Sequence, residues 1–252
     1  MNIIEVDQQN VAERGFFCMM SKRKSEGYRR KLKWLSARFA EGMKIKMLDL
    51  SEGGRGFIEY IPGEHAWRPV EAKGYLFIHC LWIVGKSRGK GYGKLLLNEC
   101  VEDAKKMGMK GVAMVNSERP WLVEKLFLEK HGFELVDQAT PSFGLMVKRF
   151  GKARPPAFTD NWDAKLKRCG RGLTIFRSDQ CPYIDDAVKI IVNVAEQLEI
   201  NSRVVNLQEC RSVREASPSP YGIFNVVYNG SLLSYHYLTK KEFLKRMDRI
   251  KK

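Results

Sequence analysis

Residues 75–97 read YLFIHCLWIVGKSRGKGYGKLLL, and the fold turns on how this stretch is read. An apolar run long enough for one strand breaks at Gly85 into a basic, glycine-rich turn and resumes near Tyr92 with helical spacing. Strand, glycine turn and helix start, in that order, make a seat for a phosphate-bearing molecule, because first-turn N–H groups point outward and the helix dipole favours an anion there. Gly89, Gly91 and Gly93 let the backbone approach a diphosphate, while Arg88 and Lys90 add charged donors at the rim. Two commoner glycine loops fail on spacing. A dinucleotide fingerprint starting at Gly89 puts its third glycine at Lys94, and a Walker A loop ending in Gly85-Lys86-Ser87 needs glycine where Cys80 stands.

What remains is R-x-x-G-x-G, filled by Arg88, Gly91 and Gly93 at the start of a helix. It resembles the central Q/R-x-x-G-x-G/A motif of the GNAT superfamily of acyl-CoA-dependent N-acetyltransferases. The flanking patterns extend the resemblance. Upstream, residues 2–6 read as a strand, 11–20 and 28–40 as helices, and 44–50 and 56–61 as paired strands. Downstream, 94–107 is an amphipathic helix, 111–115 a buried strand, 120–130 a helix opened by Pro120, and 134–136 and 144–149 strands after the dipeptide Gly132-Phe133. That order is similar to GNAT proteins over residues 1–150 and implies a GNAT mixed-sheet α+β fold.

The second part begins after a break. Residues 151–172, with Pro155-Pro156 and the glycines of Cys169-Gly170-Arg171-Gly172, read as a linker. Beyond it come a strand at 173–177, the turn Cys181-Pro182-Tyr183, a helix at 185–198, a strand at 203–207, strands at 223–228 and 232–237 joined by Asn229-Gly230, and a helix at 239–251. This order, with a cysteine before its first helix, resembles a smaller thioredoxin-like α/β domain over 173–252. Ile184 stands where a resolving cysteine is usual in that family, and Gly222 where its cis-proline falls. The pairing of both parts is similar to the YoaP-like N-acetyltransferases of bacteria, so the class expected overall is α/β.

Composition bounds the rest. At 252 residues and 44% apolar content the chain can build two ordinary cores. Glu5 and Asp7 stand where a secretion leader would be basic, and no apolar run approaches the ~20 residues of a membrane span. The expectation is a cytoplasmic protein with no membrane partner. Six cysteines lie far apart without a C-x-x-C pair, which points to reduced thiols and to no zinc site. The net charge of +15 raises a nucleic-acid partner, but the excess is even: 26 Lys+Arg against 18 Asp+Glu in residues 1–150, and 18 against 11 after them. The densest cluster, from Lys22 to Lys33, shares a helix with Tyr28, Leu32, Leu35 and Phe39 and reads as a solvated face, so nucleic acid is not expected. A homo-oligomer stays open.

The resemblance implies acetyl-CoA as cosubstrate and an unidentified amine as acceptor. Moving an acetyl group to an amine of pKa ~10.4 at neutral pH starts about 3.4 units too protonated, roughly 4.6 kcal/mol. Hence a base is sought. His79, on the strand feeding the turn, is one candidate, Glu59 a second and Cys80 a third. Glu64, His65 and Trp67 are placed beside the acceptor pocket. By family likeness, Leu81, Trp82, Ile83 and Val84 supply free N–H groups to the cosubstrate and its thioester oxygen, and residues 88–93, Tyr92 among them, hold the diphosphate. The family's acidic tyrosine falls at Leu128 and its helix asparagine at Trp121. Three functions follow: an N-acetyltransferase acting on a primary amine, a non-catalytic acyl-CoA-binding sensor, and a monothiol redox protein using Cys181.

Overall fold

Alternating and continuous apolar runs become strands, and the amphipathic stretches between them become helices. The structure, a computed structural model, describes residues 1–49, 51, 53–118 and 122–250. Expectations that fall on Leu50, Pro120, Trp121 and Lys251 lie outside the described residues. In chain order the first elements are β1 (Ile3–Val6), α1 (Val11–Arg14), α2 (Glu26–Ala40), β2 (Lys44–Leu48), β3 (Gly56–Pro62), β4 (Val70–Glu71) and β5 (Leu76–Ile83). There follow α3 (Tyr92–Lys106), β6 (Gly111–Ser117), α4 (Lys125–Glu129), β7 (Glu134–Ala139), β8 (Phe143–Arg149) and β9 (Ala157–Phe158).

Seven of these strands form one sheet in the order β1-β2-β3-β5-β6-β8-β7. Only β5 and β6 run parallel, and a parallel pair needs a crossover, which α3 supplies. One face of α3 (Leu96, Leu97, Cys100, Val101, Ala104) packs on Ile58, Tyr60, Leu76, Ile78, Val112 and Met114 of the sheet. A polar clamp adds to this contact. The Asp103 carboxylate accepts from Tyr60 Oη at 2.6 Å and Lys44 Nζ at 3.0 Å, and it pairs with Lys46 Nζ at 3.1 Å. Burial works against the Asp103 charge, yet the bonds from Tyr60, Lys44 and Lys46 outweigh it and hold the carboxyl below its ordinary range. The clamp fixes α3, and with it the turn at the N-terminal end of α3.

Two helices are shorter than their sequence patterns. A helix expected over 11–20 stops at Arg14, because Gly15, Phe17 and Met19 all take positive φ. The helix expected over 120–130 is helical only at Lys125–Glu129, with Leu122 to Glu124 non-helical before it.

The later elements are α5 (Trp162–Lys167), β10 (Leu173–Arg177), α6 (Ile184–Gln197), β11 (Ser202–Asn206), α7 (Cys210–Ala216), β12 (Phe224–Tyr228), β13 (Ser231–Ser234) and α8 (Lys240–Ile250). Their four-stranded sheet has the order β11-β10-β12-β13, with β10 and β11 parallel and the other pairs antiparallel. Asn229 and Gly230, at φ 49° and 76°, turn β12 into β13 as the dipeptide predicts. Residues 151–172 hold β9 and α5, which the sequence patterns did not show, and α7 was equally unforeseen.

The chain divides into two compact units: residues 1–21, 32–66 and 70–158 form the first, and 22–31, 67–69 and 159–252 the second. In the second, Asp185 pairs with Arg177 at 3.0 Å, Lys189 at 2.7 Å and Arg30 at 3.5 Å. Among the described residues no helix is long and apolar enough to cross a membrane.

Candidate functional site

Residues 75–97 fold as β5, a single 3-10 turn at Gly85–Ser87, and the start of α3. Two ties hold the turn to the chain before β3: Val84 N–H donates to Arg55 O at 2.9 Å, and Ser87 Oγ accepts from Arg55 N–H at 3.0 Å. Arg88 folds back so that its Nε donates to Ile83 O at 3.1 Å. Gly91 caps α3 in the left-handed region at φ 78°, and its carbonyl accepts from Leu95 N–H at 3.1 Å. That leaves the N–H groups of residues 89–94 without an acceptor among the described residues, which is the donor set an anion needs. A Cβ at Gly89 or Gly91 would meet nothing within 4 Å, so the cradle opens away from the protein. Lys86, Arg88, Lys90 and Lys94 are exposed around it. The fit to a diphosphate is therefore good on three counts: free donors, room and positive charge.

Gly93 does something different. Its backbone is ordinary helix, but a Cβ there would stand 3.2 Å from the Phe127 ring of α4, so glycine lets α3 and α4 approach. Phe127 in turn lies 4.5 Å from the His131 ring. Tyr92 is half-buried on α3 in the same apolar cluster as Ile83.

Above the cradle the sheet splits. Pairing of β5 with β6 runs from Leu76↔Val112 to Ile78↔Met114 and ends, while β6 continues beside β8 as far as Ser117. A bulge is responsible: Tyr60 pairs with Ile78 and Glu59 with Cys80, so His79 is an extra residue on β5 and the strand turns away after it. Successive residues of an antiparallel strand face its partner and then face away. Because Val84 N–H faces β3, the N–H groups of Leu81 and Ile83 face the opening towards β6, and those of Trp82 and Val84 face β3. Neither Leu81 nor Ile83 N–H is directed at β3, and the β5–β6 pairing has ended before them.

The bulge also brings the two candidate bases together. His79 Nδ1 lies 3.4 Å from Glu59 Oε1, with side chains 0% and 3% exposed. The rings of Trp34 and Phe77 stand 6.4 and 6.0 Å from the imidazole. The pair sets the carboxylate beside Nδ1 of the ring. Cys80 is half-buried, opposite Glu59 in the ladder. In the turn after β3, Glu64 accepts from Gly74 N–H at 3.1 Å, and the half-exposed His65 sits 3.9 Å from Glu41. Trp67 is buried and belongs to the second unit, where Cys181 is half-buried at the N-terminal end of α6 with its carbonyl accepting from Ile184 N–H at 3.2 Å. Leu128 is fully buried, and Trp121 lies outside the described residues. Sequence reasoning missed Asn116, on β6 just beyond the split. Its signal was faint: one amide, followed by Ser117, at the end of an apolar strand.

The Acetyltransferase (GNAT) family matches residues 13–133. The uncharacterized N-acetyltransferase YoaP of Bacillus subtilis (strain 168) is 30% identical over 98% of this chain and 99% of its own length. Aminoglycoside 6'-acetyltransferase type Ii, a solved structure, covers 62% of this chain and 100% of its own at 19% identity and TM-score 0.44. PaiA N-acetyltransferase from Thermoplasma acidophilum, solved in complex with coenzyme A, covers 60% and 100% at 19% identity and TM-score 0.40. With a relative matched from end to end and the glycine turn inside the matched region, the chain belongs to the GNAT family of N-acetyltransferases.

Proposed function

We propose that this N-acetyltransferase moves an acetyl group from acetyl-CoA directly to a primary amine, using the split between β5 and β6 as its reaction site. The observation that carries the reading is the end of β5–β6 pairing at Ile78↔Met114, immediately ahead of the anion cradle. Acetyl-CoA supplies an activated acyl group. The N–H groups of residues 89–94 and the cations around them hold its diphosphate. Leu81 N–H faces the split and stabilises negative charge as it builds on the thioester oxygen, a role typically worth about 2.7 to 4 kcal/mol, and Ile83 N–H positions the pantetheine arm. His79, with Glu59 beside its Nδ1, takes the proton that the attacking amine sheds.

The second unit, in this reading, is a thioredoxin-like domain at 173–252, joined through 151–172 to a GNAT domain at 1–150. Its support is the order β11-β10-β12-β13 with a parallel β10–β11 pair and Cys181 at the head of α6. Six cysteines, none in a disulfide, support a reducing cytoplasmic setting. One observation favours a second reading. Leu128 is fully buried where many GNAT enzymes keep an acidic tyrosine, which fits an acyl-CoA-binding sensor that does not turn over.

The test is release of the coenzyme A thiol from acetyl-CoA, measured with a panel of small amines, for the native chain and Cys181→Ser. Turnover that survives Cys181→Ser supports acetyl transfer. Tight acetyl-CoA binding with no turnover on any amine supports the sensor, and activity lost with Cys181 supports thiol chemistry.

A further inference from the structure

We infer that a hollow in the first unit, at the far end of β6, holds a second and protonated nitrogen of the acceptor, so that the preferred acceptors are small diamines. This rests on the acetyl-transfer reading above. The hollow measures about 500 Å³ and is lined by Asn116, Glu118, Gln138, Thr140, Leu135 and Phe143, among others. Asn116 is the reason to expect a ligand there. It is 4% exposed, and among the described residues its Oδ1 accepts no hydrogen bond. A buried acceptor left unmade is costly, and a donor entering the hollow satisfies it.

The site is also built around that oxygen. Asn116 faces Gly144 across the β6–β8 ladder, and a methyl at 144 would overlap Asn116 Oδ1. Any residue but glycine at 144 pushes the amide out of place. Two charged side chains line it among the described residues: the Lys125 ammonium, which is paired with Glu129 at 3.3 Å, and the exposed Glu118 carboxylate, which an entering ammonium can meet. Gln138 and Thr140, whose side-chain oxygens can accept from an ammonium, also line the hollow.

Position ties the hollow to the transfer. Asn116 is two residues beyond Met114, so it lies about 7 Å past the point where β5 leaves β6. Leu81 is three residues beyond Ile78 on the other bank of the same split. One nitrogen of a short diamine, kept charged by Glu118 and Asn116, therefore anchors the molecule while the other loses its proton and reacts.

The experiment uses the full chain with 1,4-diaminobutane and butylamine as probes, following thiol release from acetyl-CoA and, without acetyl-CoA, binding of each amine by calorimetry. In the native chain kcat/KM for 1,4-diaminobutane exceeds that for butylamine. Glu118→Gln, Asn116→Leu and Gly144→Ala each lower that ratio by about tenfold, which is about 1.4 kcal/mol. Glu118 is exposed, so its variant keeps the test open even where a change at buried Asn116 disturbs folding. Equal kcat/KM for both amines, or a ratio untouched by Glu118→Gln, overturns the hollow and leaves acetyl transfer standing. Glu118-dependent binding of 1,4-diaminobutane with no thiol release overturns acetyl transfer and leaves the hollow standing.

Discussion

Gly91→Asp is the sharpest perturbation of the cradle. Gly91 sits at φ 78° with open space where its Cβ would be, so an aspartate there aims a carboxylate at the position assigned to the diphosphate. Two effects must be separated. The left-handed backbone costs an ordinary L-residue about 1 to 2 kcal/mol, less for Asp and Asn, and that cost falls on folding. Displacing the ligand from two charge-assisted N–H bonds at about 1.5 to 3 kcal/mol each removes roughly 3 to 6 kcal/mol of binding. The second effect corresponds to about a hundredfold to ten-thousandfold in Kd. Gly91→Asn is the control, since it has the same size and the same backbone tolerance without the charge. Calorimetric titration with coenzyme A, beside thermal unfolding, resolves the two. Both variants should lower Tm by a similar few degrees, while Asp weakens coenzyme A at least tenfold more than Asn. Native affinity in Gly91→Asp, or equal losses in both variants, refutes the cradle.

The other predictions concern the base and the clamp. His79→Gln should lower turnover by about a hundredfold to ten-thousandfold and flatten the acid limb of the kcat–pH profile, with coenzyme A binding retained by calorimetry. An unchanged profile returns His79 to a packing role. Glu59→Gln should act in the same direction but less, because it orients the ring without exchanging the proton; a larger loss than His79→Gln makes the carboxylate the base. Asp103→Asn removes the carboxylate shared by Tyr60, Lys44 and Lys46, while Lys46 keeps Glu99 and Lys44 keeps Glu5, and should cost about 1 to 3 kcal/mol of unfolding free energy in urea at neutral pH. Asp103 is held below its ordinary carboxylate range when folded, so its contribution is full above about pH 4 and fades as pH falls through the depressed value. The native protein and Asp103→Asn should thus converge in stability under acid, and a constant gap down to the lowest pH measured argues against the clamp.

Much of the molecule could be read residue by residue because the responsible physics is local. The run of eight residues that forms β5, the spacing of Arg88, Gly91 and Gly93, and the Asn229-Gly230 turn each depend on side-chain period or on the backbone freedom of glycine, and these are written in adjacent residues. Where neighbours far along the chain decide, the pattern was silent or misleading. Phe17 and Met19 look helical but take positive φ, and the two-residue strands Val70–Glu71 and Ala157–Phe158 exist only because they find each other. His79 and Glu59 were separate candidates until one extra residue on β5 set them 3.4 Å apart. Residues 22–31 and 67–69 read as part of the first domain, yet their contacts place them in the second unit. Asn116 acquires meaning only through Gly144 across the ladder, 28 residues later. Amino-acid order thus settled the family, the glycine turn between strand and helix and the order of the longer strands, whereas register, bulge and burial settled which side chains meet, since those are properties of packing between distant segments.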